Sequence, residues 1–174
     1  MYLQEIIFTG PECSGKTTLA REVAKKYNEP WVPEFARTYL EHINRDYVET
    51  DILEIAKGQL HSKKQIATSA KKFLFQDTSW LVLKVWSEHK YGHCDPWIDS
   101  LLINDNEAFY FLCKPDLPWT EESLRESQHE RWILYERYFY WLSTWSKPFQ
   151  ELKGPLEDRL IVVDAALKKL LPEG

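Results

Sequence analysis

A short glycine-containing stretch near the start of the chain, IIFTGPECSGKTTLA, constrains the fold more than any other feature of the sequence. Gly10, four further residues, Gly15, Lys16 and Thr17 fit the pattern G-x-x-x-x-G-K-[ST], which is that of a phosphate-binding loop. Such a loop requires a strand before it and a helix after it, because the N–H groups at a helix N-terminus bind oxyanions. The residues before Gly10 favour a strand and those after Thr17 favour a helix, so the order is the required one.

The loop predicts a set of contacts with a polyphosphate. Lys16 supplies a positive charge for the β- and γ-phosphates, and the hydroxyl of Thr17 is a ligand for Mg²⁺. A plain glycine-containing turn between a strand and a helix is the alternative reading of the same residues. We therefore predict ATP and Mg²⁺ as cofactors, and the predicted nucleotide-binding residues are Gly10, Pro11, Glu12, Cys13, Ser14, Gly15, Lys16, Thr17 and Thr18.

Size and charge limit the other classes of function. The 174 residues, 44% of them hydrophobic, are enough for one globular domain with its own core, so residues 1–174 are predicted to form a single domain. A net charge of −5 argues against a generally basic nucleic-acid surface. The sequence has no apolar run approaching the roughly 20 residues of a membrane helix. These features predict a soluble cytoplasmic protein with reduced cysteines, no membrane or nucleic-acid partner, and an open oligomeric state.

Strand-like runs alternate with segments long enough for crossover helices. This alternation predicts an α/β fold with a five-stranded parallel sheet and helices on both faces. Ligands of such sheets bind at the carboxyl ends of the strands, which is where the phosphate loop lies. Besides the run before Gly10, the predicted strands are residues 30–35, 72–78, 108–114 and 159–165.

Acidic residues at two further strand ends are candidates for chemistry. Asp77 leaves an apolar strand at a position from which a carboxylate can hold Mg²⁺, although it could instead cap the next helix, as could Thr78 or Ser79. Glu34 is a candidate general base for a substrate hydroxyl, the alternative being an acidic residue favoured by the helix dipole. Arg37 could bind phosphate or substrate, or merely pair with Glu34. All these side chains are predicted to meet at one edge of the sheet.

The segment at about 115–135 contains a Pro-rich turn and several arginines, and we predict a helical lid there. Arg125 and Arg131 are candidate catalytic residues, because guanidinium groups neutralise charge on a phosphoryl group in transfer; a solvated helix face is the alternative. Arg137 is ranked below them. Trp119 is a candidate for stacking on a flat substrate ring, and its alternative is an anchor for the turn.

A long aromatic helix is predicted after this turn. The residues of one stripe are spaced for a single helical face that packs against the rest of the protein. They are Tyr135, Tyr138, Phe139, Leu142 and Trp145.

Several motifs together resemble a known family. GPECSGKTTLA, PEFARTYL, FLFQDT, LKVWSEHKYG and DLPWTEESLRE are similar to the ribosylnicotinamide kinase domain of NadR-type NAD-biosynthesis proteins, which are P-loop nucleoside kinases among the AAA-like NTPases. The resemblance runs from residue 5 to about 140. It implies ATP- and Mg²⁺-dependent phosphorylation of the ribose 5′-hydroxyl of nicotinamide riboside to nicotinamide mononucleotide. The family usually has an acidic residue where this chain has Ser79, so among the residues that follow the third strand the predicted metal role rests on Asp77 alone.

Other functions remain open at this stage. The same loop could serve a regulatory nucleotide-dependent switch, whose output is the ordering of a loop, or a kinase acting on another nucleoside or small molecule. The guanine-selective pattern Asn/Thr-Lys-x-Asp is not found, and the predicted fifth strand ends in VVDAALKK, which modestly favours ATP over GTP.

Overall fold

The computed structural model describes residues 3–120 and 129–170. Within them, helices and strands alternate from the first strand to the last helix. In chain order the elements are β1 (Gln4–Thr9), α1 (Lys16–Tyr27), β2 (Trp31–Val32), α2 (Phe35–Ile43), α3 (Glu49–Ala67), β3 (Phe73–Asp77), α4 (Trp80–Tyr91), α5 (Pro96–Asn104), β4 (Phe109–Cys113), α6 (Arg131–Thr144), β5 (Phe149–Leu152) and α7 (Leu156–Leu170).

The strands form one sheet in the order β2-β3-β1-β4-β5, and all four pairings are parallel. Ile6 of β1 pairs with Phe75 of β3 on one side and with Phe109 of β4 on the other. The predicted fold class, a five-stranded parallel sheet flanked by helices, is confirmed. β1 is the central strand, so the loop that follows it opens at the middle of the carboxyl edge.

Helices cover both faces of the sheet, which explains why its central strands are apolar on both sides. Ile6 and Phe8 of β1 point to the face covered by α1 and α7. Ile7, between them, points to the opposite face, which is covered by α2 to α6. All three side chains are fully buried. This alternation follows from the two-residue period of a strand, and it anchors the first strand rigidly beneath the phosphate loop.

The prediction of a strand at 159–165 was wrong. These residues lie inside α7, and the fifth strand is Phe149–Leu152, in a segment that the sequence left unassigned. The apolar run at 159–165 fits a buried strand or a buried helix equally well over so short a window. Over the whole helix the buried positions Val163, Ala166 and Leu167 follow the helical spacing that places them on α1. Because this segment is helical, the ending VVDAALKK no longer bears on the choice between ATP and GTP.

The aromatic helix was predicted correctly in kind, with one error in its buried stripe. Tyr135, Tyr138 and Leu142 are buried in the larger core, and Trp145 is partly buried against it. Phe139 is 39% exposed and makes an edge-to-face contact with Phe149. A helical stripe narrower than the predicted one therefore packs on the sheet layer.

Residues 121–128, in the middle of the predicted lid at about 115–135, lie outside the described residues. The described parts are the turn after β4 and the first residues of α6. The lid and the single-domain organisation remain predictions. Across 3–120 and 129–170, no helix has both the length and the apolar character needed to cross a membrane.

Candidate functional site

The phosphate loop joins β1 to α1 through three residues with positive φ. Gly10 has a φ of 135°, Cys13 of 52° and Gly15 of 83°. A Cβ atom on Gly10 would lie 2.6 Å from the carbonyl oxygen of Cys113, the last residue of β4. Gly10 is therefore required because the loop passes close to the neighbouring strand, as well as for its backbone conformation. No local sequence pattern indicates this contact with β4.

Hydrogen bonds within the loop give it a defined shape. Ser14 Oγ and Lys16 Nζ each donate to the carbonyl oxygen of Pro11, both at 2.7 Å. The first hydrogen bond within α1 runs from Leu19 N to Gly15 O at 3.0 Å, so the N–H groups that precede Leu19 have no carbonyl of the helix to bond to. The loop thus presents amide groups and an ammonium group together at a helix N-terminus, which is the arrangement that binds phosphate.

Asp77, at the carboxyl end of β3, lies beside the loop. Thr17 Oγ1 donates to Asp77 Oδ2 at 2.6 Å. The other carboxylate oxygen, Oδ1, is buried and has no hydrogen-bond partner among the described residues. Burial raises the pKa of Asp77, while the charge of Lys16 and the bond from Thr17 act to lower it. A buried oxygen without a partner, next to a hydroxyl, is a donor set that suits Mg²⁺.

The alternative role of Asp77 as a helix cap is assigned to another residue. Ser79 is the N-cap of α4, and its hydroxyl accepts a hydrogen bond from Leu81 N at 3.4 Å. The carboxylate of Asp77 points instead to the phosphate loop.

Glu34 lies between β2 and α2, where it occupies the N-cap position of α2. The N–H of Phe35, the first residue of α2, donates to Gln59 Oε1 of α3 at 2.8 Å. The acceptor for this helix N-terminal N–H is therefore Gln59 and not Glu34. Within the described chain the Glu34 side chain makes no capping hydrogen bond. Burial, followed by the negative charge of Asp77, raises the pKa of Glu34 to about 7, against the lowering effects of Lys16 and Arg37. Glu34 can therefore gain and lose a proton near neutral pH.

The loop and Glu34 face a common cavity of about 470 Å³. The cavity is lined by the phosphate loop, by side chains from α2, α4 and α6, and by the loop after α2. The aromatic rings of Tyr47 and Trp86 lie 4.8 Å apart, and Lys90 Nζ lies 3.4 Å from the centre of the Tyr47 ring. Besides the phosphate loop and Glu34, the lining residues are Ala36, Arg37, Leu40, Tyr47, Val82, Val85, Trp86, His89, Lys90, Glu130, Leu134 and Tyr138.

The structure brings together most, but not all, of the predicted site residues. The whole loop from Gly10 to Thr18 lines the cavity, as do Glu34 and Arg37, and Asp77 reaches this group through Thr17. Neither Trp119 nor Arg131 is among the described lining residues. Arg125 lies outside the described residues.

Trp119 and Arg131 instead contact each other beside the loop. The guanidinium carbon of Arg131 lies 5.6 Å from the centre of the Trp119 ring, and Arg131 Nη1 donates to the carbonyl oxygen of Leu117 at 3.0 Å. These contacts correspond to the turn-anchoring alternative for Trp119. The aromatic rings that line the cavity are those of Tyr47, Trp86 and Tyr138. Tyr138 was predicted only as a core residue, and none of the three was predicted to bind substrate.

Some of the cavity residues that were not predicted follow a recognisable sequence pattern, and others do not. Val82, Val85, Trp86 and His89 follow helical spacing along one face of α4, so that face was detectable once a ligand was expected on it. His89 Nε2 and Glu130 Oε2 lie 2.9 Å apart and connect this face to the start of α6. The contribution of a loop residue such as Tyr47 depends on tertiary packing, and no local pattern marks it.

Comparison with known proteins places the chain in a family. A family model described as an AAA domain matches residues 5–159, which is most of the chain. The chain belongs to this AAA domain family. Among curated relatives, the trifunctional NAD biosynthesis/regulator protein NadR of Escherichia coli K12 is 24% identical over 128 residues, covering 71% of this chain and 31% of NadR. NadR of Salmonella typhimurium matches to the same extent. The chain thus spans about a third of the length of these relatives.

Solved structures share the fold of this AAA domain. A NadR protein in complex with NR superposes with a TM-score of 0.78 at 20% identity, over 96% of this chain and 51% of that one. Thymidylate kinase from Candida albicans gives a TM-score of 0.69 at 13% identity, over 96% and 91%. Deoxyadenosine kinase from M. mycoides gives 0.64 at 15% identity, over 95% and 99%. The predicted resemblance to NadR, within a nucleoside-kinase type of fold, is confirmed.

Proposed function

We propose that this AAA domain is a phosphotransferase that uses ATP and Mg²⁺ to phosphorylate the ribose 5′-hydroxyl of nicotinamide riboside, giving nicotinamide mononucleotide. The observation that carries the proposal is the shared cavity, in which Glu34, with a pKa near neutrality, faces a phosphate loop. The similarity to NadR, and to a NadR structure solved with NR, supports this choice of acceptor. The cytoplasmic location and the lack of a nucleic-acid partner stay predictions.

At the donor end, the loop residues hold and orient the phosphate chain. The amides at the start of α1 and the ammonium of Lys16 lower the energy of negative charge on the phosphates. Thr17 and Asp77 would hold Mg²⁺, which supplies positive charge next to the transferred group. The charge of Lys16 offsets part of the repulsion between the carboxylates of Asp77, which is buried, and Glu34, which is half-buried.

At the acceptor side, Glu34 accepts the proton of the 5′-hydroxyl as that oxygen attacks the γ-phosphate, whose bond to the β-phosphate oxygen breaks to release ADP. Glu34 lines the same cavity as the loop and interacts electrostatically with Lys16, so a hydroxyl bonded to its carboxylate is held near the phosphate chain. Its raised pKa makes it a better proton acceptor than an ordinary glutamate, and it remains largely ionised at slightly alkaline pH.

The aromatic residues of the cavity suit a flat, cationic ring. Tyr47, Trp86 and Tyr138 line the cavity and offer ring surface to such a ligand. The pyridinium ring of nicotinamide riboside carries a positive charge, which these aromatic faces attract. Uncharged nucleoside bases would lack this contribution.

We expect Glu34→Gln to lower kcat by about 100-fold or more, since an amide cannot accept the hydroxyl proton. In the unmodified protein kcat should rise with pH up to about 7, as Glu34 loses its proton, whereas the residual rate of the variant should lack this rise. Initial rates between pH 5.5 and 8.5 measure both. Identical pH profiles for the two proteins would exclude Glu34 as the base.

Unfolding measurements provide an independent check on the same residue. Because folding raises the pKa of Glu34 from 4.5 to about 7, the folded state holds this proton more tightly than the unfolded state. The corresponding stability is present below pH 4.5 and is lost as the pH rises to about 7. Glu34→Gln should remove this component. The free energy of unfolding of the variant minus that of the unmodified protein should therefore be larger at pH 8 than at pH 5.

The acceptor is tested by product analysis. With ATP and Mg²⁺, mass spectrometry should detect nicotinamide mononucleotide, in preference to the monophosphates of uridine, cytidine or adenosine in competition. The Lys16→Ala variant serves as the blank. ATP hydrolysis without any phosphorylated nucleoside would favour the regulatory switch, and phosphorylation of another nucleoside would keep the kinase but replace its substrate.

A further inference from the structure

Arg159 of α7 is a fully buried arginine, 1% exposed, whose side chain reaches the phosphate loop. Its Nη1 donates to the carbonyl oxygen of Ser14 at 2.6 Å, and its Nε donates to that of Gly154 at 2.7 Å. Nη2 donates to the carbonyl oxygen of Lys114 at 3.2 Å and forms an ion pair with Asp116 Oδ1. One guanidinium group thus joins the phosphate loop, the end of β4 and the turn before α7.

The bond to Ser14 determines which way the next amide points. In a trans peptide, the C=O of one residue and the N–H of the following residue point in opposite directions. The described chain has no cis peptide bonds. Holding the Ser14 carbonyl against Arg159 therefore directs the Gly15 N–H away from the guanidinium. Since Gly15 lines the cavity, that N–H is presented to the phosphate end.

The guanidinium lies directly behind Gly15. A Cβ atom on Gly15 would lie 3.7 Å from Arg159 Nη1 and 3.1 Å from Leu117 Cδ1. Arg159 is thus part of the surface against which the loop packs, and its positive charge on the carbonyl side polarises the Ser14–Gly15 peptide. A more polarised peptide is a stronger N–H donor to an anion.

Asp116 extends the connection to the turn after β4. One of its oxygens pairs with Arg159, and the other accepts the Gly154 N–H at 2.7 Å. The next residue, Leu117, accepts a hydrogen bond from Arg131 at the start of α6. A conformational change in residues 114–117 is therefore transmitted to Ser14 through one buried side chain.

We propose that Arg159 is a positioning residue for nucleotide binding, which holds the Ser14–Gly15 peptide with its N–H toward the phosphate chain and couples the loop to the turn at Asp116. This inference rests on the proposed binding of nucleotide at the loop. The chemistry of the site requires an arginine, because four acceptors in different directions need a planar fork of donors. A lysine ammonium on a similar stem has three donors and cannot reproduce that geometry.

The test is isothermal titration of ADP into the unmodified protein and three variants. Arg159→Lys should weaken ADP binding about tenfold, the scale set by loss of charge-assisted hydrogen bonds. Asp116→Asn, which keeps Arg159 but loses its ion pair, should weaken it by a smaller factor of about three. The backbone ¹H and ¹⁵N shifts of Gly15, measured by NMR without nucleotide, should move in both variants, because the Ser14–Gly15 peptide loses polarisation.

Lys147→Met is the matched control. Lys147 is also a buried cation, and it donates to the carbonyl oxygens of Asp105 at 2.7 Å and Ile103 at 3.3 Å. These groups lie at the amino edge of the sheet, since Tyr110 N, at the start of β4, donates to the carbonyl oxygen of Pro148, the residue after Lys147. The control should lower the melting temperature yet keep the ADP affinity and the Gly15 shifts of the unmodified protein.

The outcomes separate this inference from the proposed function. ADP binding by the unmodified protein, together with unchanged affinity in Arg159→Lys, would overturn the positioning role alone. If Arg159→Lys does not fold, unchanged affinity and Gly15 shifts in Asp116→Asn would overturn it equally. Absence of ADP binding by the unmodified protein would overturn the proposed function and this inference with it.

Discussion

Lys16→Ala is expected to reduce kinase turnover by about a thousandfold, because the variant lacks the ammonium that neutralises charge on the transferred phosphoryl group. In the structure Lys16 lines the cavity, and its ammonium donates to the Pro11 carbonyl of its own loop. Because this is a single contact within one loop, we expect the free energy of unfolding to change by less than about 1 kcal/mol. Steady-state kinetics and denaturant unfolding measure the two quantities.

Lys25→Ala is the matched control for this variant. Lys25 lies on the same helix, in its last turn, and is exposed to solvent. Its replacement removes an equal charge from α1 and should leave turnover unchanged. Turnover in Lys16→Ala that matches Lys25→Ala would rule out phosphate transfer at this loop.

Asp77→Asn should have the next largest effect, a decrease in Mg²⁺-dependent turnover of about 100-fold or more. The amide oxygen can still accept the hydrogen bond from Thr17, so the local fold should be kept. The variant removes a negative charge and a carboxylate ligand, which weakens the hold on Mg²⁺. Turnover measured against Mg²⁺ concentration should therefore give a higher half-saturation value, while ADP affinity in the presence of EDTA should change little.

A structural role for Asp77 would give a different pattern. Ser79→Ala removes the N-cap of α4 and should cost about 1 kcal/mol of stability, with the Mg²⁺ dependence unchanged. If Asp77→Asn behaved like Ser79→Ala, losing stability and keeping its Mg²⁺ dependence, the metal role would be wrong.

The residues predicted for the donor side of the site come from local features of the sequence, and the structure places them side by side. The phosphate loop is a contiguous motif whose strand, turn and helix are all encoded within about 20 residues. Asp77 and Glu34 were predicted from their positions at strand ends, because the carboxyl ends of parallel strands meet at one edge. The topology that brings them together follows from the alternation of strands and helices.

The acceptor end could not be predicted in the same way. Tyr47, Trp86 and Tyr138 come from a loop and two helices that are far apart in the chain, and only packing brings them to the same cavity. Trp119 was predicted to stack on a substrate ring, but in the structure it contacts Arg131 and is not among the described lining residues. Composition and spacing identify aromatic residues and do not tell which cavity they face.

Arg159 illustrates a different limit. It is the first residue of the apolar run that was predicted to be the fifth strand, and a charged residue at the end of a strand is ordinarily exposed to solvent. In the structure it is enclosed because four oxygen acceptors converge on it from the loop, from β4 and the turn after it, and from the turn before α7. Burial of a cation depends on such a set of acceptors, which exists only in the folded chain.

The central position of β1 in the sheet also governs when the site can form during synthesis. β1 is translated before the other strands, and one of its edges lacks a strand partner until Phe73–Asp77 has been made, the other until Phe109–Cys113 has been made. Gly10 takes its final place only against Cys113. Long-range parallel pairing of this kind is slow, and it leaves an apolar strand available to chaperones or to aggregation in the meantime. The segment that first identifies the protein in the sequence is therefore among the last to reach its native environment on the ribosome.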